Sequence, residues 1–113
     1  FITDRFSDMV VSGGVNLYPA EAEQVLIDHK EIEDVGCIGI PDKDLGEKLI
    51  ALIVLADPTS EIDMESIAEW LRDRLSHYKC PRLYVTVTTL LRNTMGKINK
   101  RKLRDAYLNG ELS

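Results

Sequence analysis

Hydrophobic and polar residues change their spacing several times along the chain, and each change predicts a secondary-structure element. Residues 49–55 are continuously apolar, which is typical of a central strand covered on both faces. Residues 83–90 form an alternating run, which predicts a strand with one apolar and one polar face. Shorter apolar runs at residues 1–3, 9–11 and 35–40 predict three further strands.

Apolar residues three and four positions apart predict three helices. The first begins with Pro19, because proline is favoured in a first helical turn. The second follows Asp63, a good N-cap residue, and is predicted to end near His77. The third follows Asn99 and ends before Gly110, because glycine is common just past a helix C-terminus.

The order of these elements predicts an α+β fold, a small mixed or antiparallel sheet with about three packed helices. A length of 113 residues fits one domain, residues 1–113. The chain begins with Phe1 and not with methionine, which predicts a piece of a larger protein. No apolar run approaches the roughly 20 residues that span a bilayer. Two cysteines without metal-ligand spacing predict a reducing, cytoplasmic compartment and no metal site.

A basic stretch near the C-terminus surrounds the clearest candidate for chemistry. Residues 79–104 contain eight Lys or Arg and no Asp or Glu, although the whole chain carries a net charge of −5. This asymmetry predicts that the C-terminal third faces a negatively charged partner. Within it, Gly96 permits a tight turn that holds Lys97 out toward an anion. A Gly-Lys pair alone favours the plainer interpretation of a solvated lysine beside an ordinary basic helix.

A second candidate is the glycine pair Gly13 and Gly14, which follows the predicted strand at residues 9–11. Adjacent glycines expose backbone N–H groups and let a ligand approach closely, although a hairpin turn is their commoner role. The sequence has no Gly-x-x-x-x-Gly-Lys phosphate loop and no metal-binding cluster. Neither glycine turn forms a pocket by itself, so a functional interpretation needs a second surface.

Three stretches resemble the C-terminal domain of adenylate-forming enzymes, the acyl-CoA synthetase superfamily. Residues 4–23 are similar to the hinge motif of that family and the glycine loop after it. Residues 41–42 and 46–47, followed by an apolar strand, are similar to a second motif, and residues 91–98 to the terminal Gly-Lys motif. The three stretches have the family's order and spacing and span nearly the whole chain.

The resemblance implies an ATP-dependent, AMP-forming acid–thiol ligase, of the fatty-acyl-CoA synthetase type. A carboxylic acid would attack ATP to give an acyl-adenylate and pyrophosphate. After a rotation of this domain, the thiol of coenzyme A would displace AMP to give a thioester. The partner would be a large N-terminal adenylation domain that carries the ATP-binding loop, the acyl pocket and the ligands of the Mg²⁺ that accompanies ATP. Because the sequence lacks that domain, we expect the chain alone to be inactive.

Three residues resemble the nucleotide-side residues of the family. Lys97 matches the catalytic lysine, which bridges the substrate carboxylate and the α-phosphate. Arg5 matches an arginine near the nucleotide ribose, and Asn16 falls where relatives often have a basic or polar residue. Lysines of this type are acylated as an off-switch in relatives, which makes modification of Lys97 a hypothesis.

Two short segments resemble those that bind coenzyme A in the family. One lines the pantetheine tunnel, and the other meets the nucleotide of coenzyme A. The first is Ser12, Gly13 and Gly14, and the second is Cys80, Pro81 and Arg82. The hinge position departs from the family pattern, because Ser7 stands where Asp or Lys is usual, so either the pivot tolerates serine or Asp8 substitutes for it.

Two alternatives remain open from the sequence. In the same superfamily, the chain could be the lid of an adenylation domain that loads a carrier protein. A carrier domain would then follow, whereas this sequence ends soon after its last predicted helix. The other alternative is a module that binds RNA or another polyanion, but Tyr84 and Tyr107 are isolated, so few aromatic rings could stack on bases. No nucleic-acid partner is therefore predicted.

Overall fold

A computed structural model describes residues 9–111, and the predicted strand at residues 1–3 and the site predictions at Arg5 and Ser7 lie outside this part. The strands are β1 (Val10–Ser12), β2 (Val15–Leu17), β3 (Ile32–Asp42), β4 (Gly46–Leu55) and β5 (Leu83–Thr86). The α-helices are α1 (Pro19–Leu26), α2 (Met64–Arg72) and α3 (Lys100–Leu108), with a short 3₁₀ helix at His77–Lys79. No helix within residues 9–111 is long and apolar enough to cross a membrane.

Strand β4 lies at the centre of one five-stranded sheet in which the order is β2-β1-β4-β3. Along one side it pairs with β3 in antiparallel register, from Ile32 opposite Leu55 to Asp42 opposite Gly46. Along the other side its first residue pairs with Ser12 of β1, and its later residues pair with β5 in parallel. The sheet is therefore mixed, as the element order predicts.

Helices cover both faces of the sheet, which explains the continuous apolar run in β4. Leu49, Ala51 and Ile53 face a core cluster that includes residues of α1 and α2. Ile50 and Leu52 face a second cluster, which includes Val87, Leu90 and Leu103 of the C-terminal part. Full burial of one such Leu or Ile side chain stabilises a fold by roughly 1.5–3 kcal/mol relative to exposure.

The predicted helix boundaries are correct at four ends. Asp63 Oδ1 accepts a hydrogen bond from the Glu65 N–H at 3.1 Å, and Asn99 Oδ1 accepts one from the Lys102 N–H at 3.2 Å. Pro19 occupies the first turn of α1. Gly110 follows α3 with φ +74°, and its N–H donates to the carbonyl oxygen of Tyr107 at 3.1 Å.

The predicted end of α2 is wrong, because the helix stops at Arg72 and not near His77. Ser76 is extended, with ψ 136°, and a 3₁₀ turn follows it. The chain turns there because Cys80 must reach the sheet, where it is buried. The Ser76 carbonyl oxygen accepts the Lys79 N–H at 2.9 Å and lies 3.5 Å from the Cys80 Sγ, so the 3₁₀ turn and the cysteine both satisfy it.

The prediction of a polar face at residues 83–90 is also wrong in part. The strand ends at Thr86, and Tyr84 is half-buried against the cluster beneath α1 and α2. Leu83 is 39% exposed although the pattern places it on the apolar face, so the alternation in the sequence does not give one buried and one exposed face. Val87 and Leu90 continue into the opposite core cluster after strand pairing has ended.

Candidate functional site

Residues 93–97 form a compact turn whose shape depends on Asn93. The Asn93 N–H donates to the Lys97 carbonyl oxygen at 2.9 Å. The Asn93 Oδ1 accepts hydrogen bonds from the N–H groups of Met95 at 2.9 Å and Lys97 at 3.0 Å. Gly96 has φ +81°, and a Cβ added to it would meet nothing within 4 Å. The glycine is therefore needed for its backbone conformation, and the bend itself is exposed.

Arg92 attaches this turn to the sheet. Its Nε and Nη2 donate to the two carboxylate oxygens of Asp34 in β3, each at 2.7 Å. Its Nη1 donates to the Gly96 carbonyl oxygen. The hydrogen bond from Arg92 lowers the pKa of the Asp34 carboxyl, and Asp34 in turn raises the pKa of Arg92. The turn is therefore held by the hydrogen bonds of Asn93 within it and by the contacts of Arg92 with β3.

Lys97 is exposed, and within residues 9–111 its ammonium has neither a hydrogen-bond partner nor a salt-bridge partner. It borders a groove of about 850 Å³ along the edge of β3. Basic side chains outnumber acidic ones in the groove lining. The basic ones are Arg92, Lys97, Lys100, Arg101 and Arg104, and the acidic ones are Glu23 and Glu47. This excess of positive charge favours an anionic ligand.

A junction between three elements lies beneath the groove. The Cys37 N–H in β3 donates to the Glu23 carboxylate of α1 at 2.8 Å. The Lys100 ammonium of α3 donates to the Cys37 carbonyl oxygen at 2.8 Å and also pairs with Glu23. These contacts satisfy backbone groups on the side of β3 that faces away from β4. Burial raises the pKa of the Cys37 thiol, so this cysteine is not a nucleophile.

The second glycine turn is the hairpin between β1 and β2. Gly13 and Gly14 form a two-residue loop with φ +59° and +81°, the conformation that a tight hairpin requires. The Gly13 N–H donates to the Leu45 carbonyl oxygen at 2.9 Å. A Cβ at Gly13 would lie 3.2 Å from Leu45, whereas a Cβ at Gly14 would meet nothing within 4 Å. The hairpin interpretation of this pair is therefore correct.

A pocket of about 200 Å³ lies beside this hairpin and joins segments that are distant in sequence. Four of the six residues that resemble a coenzyme A site line it, namely Ser12, Gly13, Cys80 and Arg82. The N–H of Arg82 donates to the Leu49 carbonyl oxygen at 2.8 Å, which holds the second segment against the sheet. Gly14 and Pro81 are not part of the lining, and Asn16 is exposed in β2.

Sequence reasoning missed several residues at the two sites. Tyr78 and Leu45 also line the small pocket, and Arg92 and Asn93 support the lysine turn. Tyr78 lies two residues before the predicted site residue Cys80, and this closeness in sequence could have identified it. The structure separates the predicted residues into two groups, because the linings of the groove and the small pocket share no residue.

Residues 21–97 match the family model described as the AMP-binding enzyme C-terminal domain. The chain belongs to this family. It is 42% identical over 107 residues to the long-chain-fatty-acid–CoA ligase FadD13 of Mycobacterium tuberculosis, covering 95% of this chain and 21% of the relative. It is 37% identical over 112 residues to 2-succinylbenzoate–CoA ligase of Bacillus subtilis, covering 99% of this chain and 22% of the relative.

Solved structures of this family share the fold. A fatty acyl CoA synthetase of Mycobacterium tuberculosis superposes with a TM-score of 0.87 at 39% sequence identity, covering 94% of this chain and 21% of that one. The chain therefore spans about a fifth of the length of the relatives it matches. The predicted family and the predicted α+β fold are confirmed, and the domain is a C-terminal domain of the adenylate-forming superfamily.

Proposed function

We propose that this domain is the mobile lid of an AMP-forming acid–CoA ligase of the fatty-acyl-CoA synthetase type. Such an enzyme joins a carboxylate to the α-phosphate of ATP with release of pyrophosphate. It then transfers the acyl group to the thiol of coenzyme A with release of AMP. The observation that carries the proposal is Lys97, exposed and without a partner among residues 9–111, on a fixed turn beside a cationic groove. The matched relatives of this family are named acid–CoA ligases.

Lys97 would act in the first half-reaction, where two anions must approach each other. Its ammonium would contact both the substrate carboxylate and the α-phosphate. Near a protein surface, an ion pair at about 4 Å is worth roughly 4 kcal/mol. Lysine suits a single point contact on a flexible stem, and the turn at Gly96 leaves that stem free to enter the partner's site. Asn16 is exposed and would add a polar contact on the nucleotide side.

The small pocket would act in the second half-reaction. Ser12 and Gly13 add little side-chain volume, which suits a wall of the narrow channel that receives the pantetheine arm, and Gly14 would form the tip of that wall. Arg82 would contact a phosphate of coenzyme A, with Cys80 and Pro81 shaping the adjoining segment. The groove and this pocket would be presented to one active site in turn by rotation at Ser7, and Arg5 would contact the ribose.

The ATP-binding loop, the Mg²⁺ ligands and the acyl pocket would belong to an N-terminal domain. We place the enzyme in the cytoplasm, and two buried, free cysteines are compatible with a reducing compartment. Residues 1–113 alone should not release pyrophosphate from ATP in the presence of coenzyme A and mixed carboxylic acids. Robust turnover by these residues alone would overturn the assignment of a lid.

The role of Lys97 is tested in the full-length enzyme with Lys97→Ala and a matched control, Lys102→Ala. Lys102 is an exposed lysine of α3 outside the lining of the groove. ATP–pyrophosphate exchange should fall by ~10²–10³ in Lys97→Ala, the typical cost of one group that stabilises developing charge. Lys102→Ala should stay within about twofold of the wild-type rate, because its side chain is solvated. Equal rates in both variants would contradict the proposed function.

A further inference from the structure

The turn that carries Lys97 has little attachment to the domain through its backbone. Its flanking residues, Arg92 and Ile98, form one isolated bridge and no strand ladder. Ile98 is half-buried and packs against the core on the C-terminal side of the turn. On the N-terminal side, Leu91 is exposed with φ +56°, so it adds no buried contact. Leu90, two residues before Arg92, is the last buried side chain before the turn, so the side chain of Arg92 is the attachment that lies next to the turn on that side.

Arg92 uses its guanidinium in two directions at once. One edge faces the Asp34 carboxylate at 2.7 Å through two nitrogens, and the remaining nitrogen faces the Gly96 carbonyl oxygen. Asp34 is itself oriented, because its Oδ1 also accepts the Val35 N–H at 3.0 Å. A lysine at this position could not make the planar double contact and reach the carbonyl as well. Since each of the three guanidinium nitrogens of Arg92 already donates within the domain, its contacts hold the turn and leave Lys97 to meet a ligand.

We propose that Arg92, braced by Asp34, is a positioning residue that sets where the Lys97 ammonium lies during adenylation, an inference that rests on the proposed function of Lys97. The Gly96 carbonyl belongs to the peptide that precedes Lys97, so fixing it fixes the direction in which the lysine stem departs. If the contacts of Arg92 with Asp34 and with the Gly96 carbonyl oxygen are lost, Lys97 keeps its charge but its ammonium occupies a wider range of positions. A misplacement of about 1 Å in a catalytic group can cost ~10² in rate.

The test compares Arg92→Met with Arg72→Met in the full-length enzyme. Both changes remove an arginine of comparable exposure from a carboxylate pair, but Arg72 pairs with Glu65 along α2 and lines neither the groove nor the small pocket. Arg92→Met should lower kcat for acyl-adenylate formation by ~10–100-fold with little change in KM, because the defect is one of geometry. Thioester formation from supplied acyl-adenylate should be unchanged, and Arg72→Met should alter neither rate by more than about twofold.

Asp34→Asn supplies an independent check, because it weakens the same brace from the other side. Its adenylation defect should resemble that of Arg92→Met, and the double variant should be no slower than the slower single variant. Hydrogen exchange gives a readout that does not depend on activity. The Met95 and Lys97 amides should exchange faster in Arg92→Met, while amides of β4 should keep their protection.

The outcomes separate this inference from the proposed function. If Lys97→Ala abolishes adenylation but Arg92→Met leaves it within about twofold of wild type, the positioning role is wrong and the lysine assignment stands. An equal loss of both half-reactions in Arg92→Met would also overturn the positioning role, because it would indicate general damage. If Lys97→Ala leaves adenylation intact, the proposed function fails. Should Arg92→Met not fold, Arg92→Lys keeps the positive charge and must show the same selective loss.

Discussion

The two exposed glycine turns share a backbone conformation but are held by different parts of the chain. Gly14 and Gly96 both have φ +81°, and neither would meet another atom through an added Cβ. The turn at Gly14 lies between two paired strands, and the neighbouring Gly13 N–H is bonded to the backbone of Leu45. The turn at Gly96 is held by the side chains of Asn93 and Arg92.

The difference fits the two tasks proposed for these turns. A channel wall needs a small, stiff backbone, which a sheet hairpin provides without any long side chain. A charged side chain that would reach another domain needs a turn that projects beyond the sheet, and such a turn is supported by its own backbone hydrogen bonds and by polar side chains instead of a strand ladder. The comparison teaches that a strand ladder supports the first site and hydrogen-bonded side chains support the second.

The largest effect in this comparison is expected for Gly14→Val. The new side chain would project from the tip of the hairpin, where the domain itself offers no contact, so it would meet only coenzyme A or the partner domain. In the full-length enzyme, thioester formation from supplied acyl-adenylate should fall by ~10–100-fold, because a side chain obstructs the channel. Adenylation should be preserved.

The matched control for this change is Gly110→Val. Gly110 has φ +74° and open space around it, so valine there carries the same backbone strain of about 1–2 kcal/mol. Gly110 follows α3 and lines neither site. A comparable loss of thioester formation in both variants would show that strain, and not obstruction, is responsible.

Gly96→Ala should have a smaller effect than Gly14→Val, and it should affect the other half-reaction. The methyl group meets nothing, but the strained backbone shifts the lysine stem, so adenylation should fall by about tenfold while thioester formation is spared. The measurement is the pair of half-reaction rates, with Gly110→Ala as the control. A selective loss of thioester formation instead would reverse the roles of the two turns.

Tyr84→Phe should raise stability without altering either site. The Tyr84 hydroxyl is buried, and among residues 9–111 it has no hydrogen-bond partner. Removing it should increase the free energy of unfolding by about 1 kcal/mol, because an unsatisfied buried group is costly. Thermal unfolding measures the change. A lower midpoint would indicate that the hydroxyl has a partner, and altered half-reaction rates would link the core to the turns.

The smallest effect concerns pH, and it should distinguish the two turns. Arg92 holds the pKa of Asp34 below its ordinary value of 3.8. A carboxyl group with a lowered folded-state pKa contributes stability above its ordinary pKa, and this contribution is lost as pH falls through the folded value. Hydrogen exchange near Lys97, corrected for its intrinsic pH dependence, should therefore accelerate only below about pH 4. The Gly13 N–H donates to the backbone carbonyl oxygen of Leu45, which does not titrate, so exchange of this amide should change less over that range.

Sequence patterns predicted the features that depend on neighbours along the chain. The apolar run in β4 identified the central strand, and the caps Asp63 and Asn99 identified where two helices begin. The end of α2 could not be predicted, because it depends on the path that brings Cys80 into the core.

The supports of the lysine turn were beyond sequence reasoning for a related reason. Asp34 and Arg92 are 58 residues apart, and Glu23 and Lys100 are 77 apart. Charged residues of either sign are frequent in this chain, so nothing in the pattern selects these partners. The family resemblance identified Lys97 and both pocket segments as candidates, and the contacts that hold them became visible only in the folded structure.

The most direct test of the central claim is the ratio of the two half-reaction rates, measured in the same full-length background for Lys97→Ala and Gly14→Val. We predict opposite ratios: Lys97→Ala loses acyl-adenylate formation and keeps thioester formation, whereas Gly14→Val does the reverse. Parallel losses of both rates in both variants would contradict the assignment of separate surfaces to separate steps.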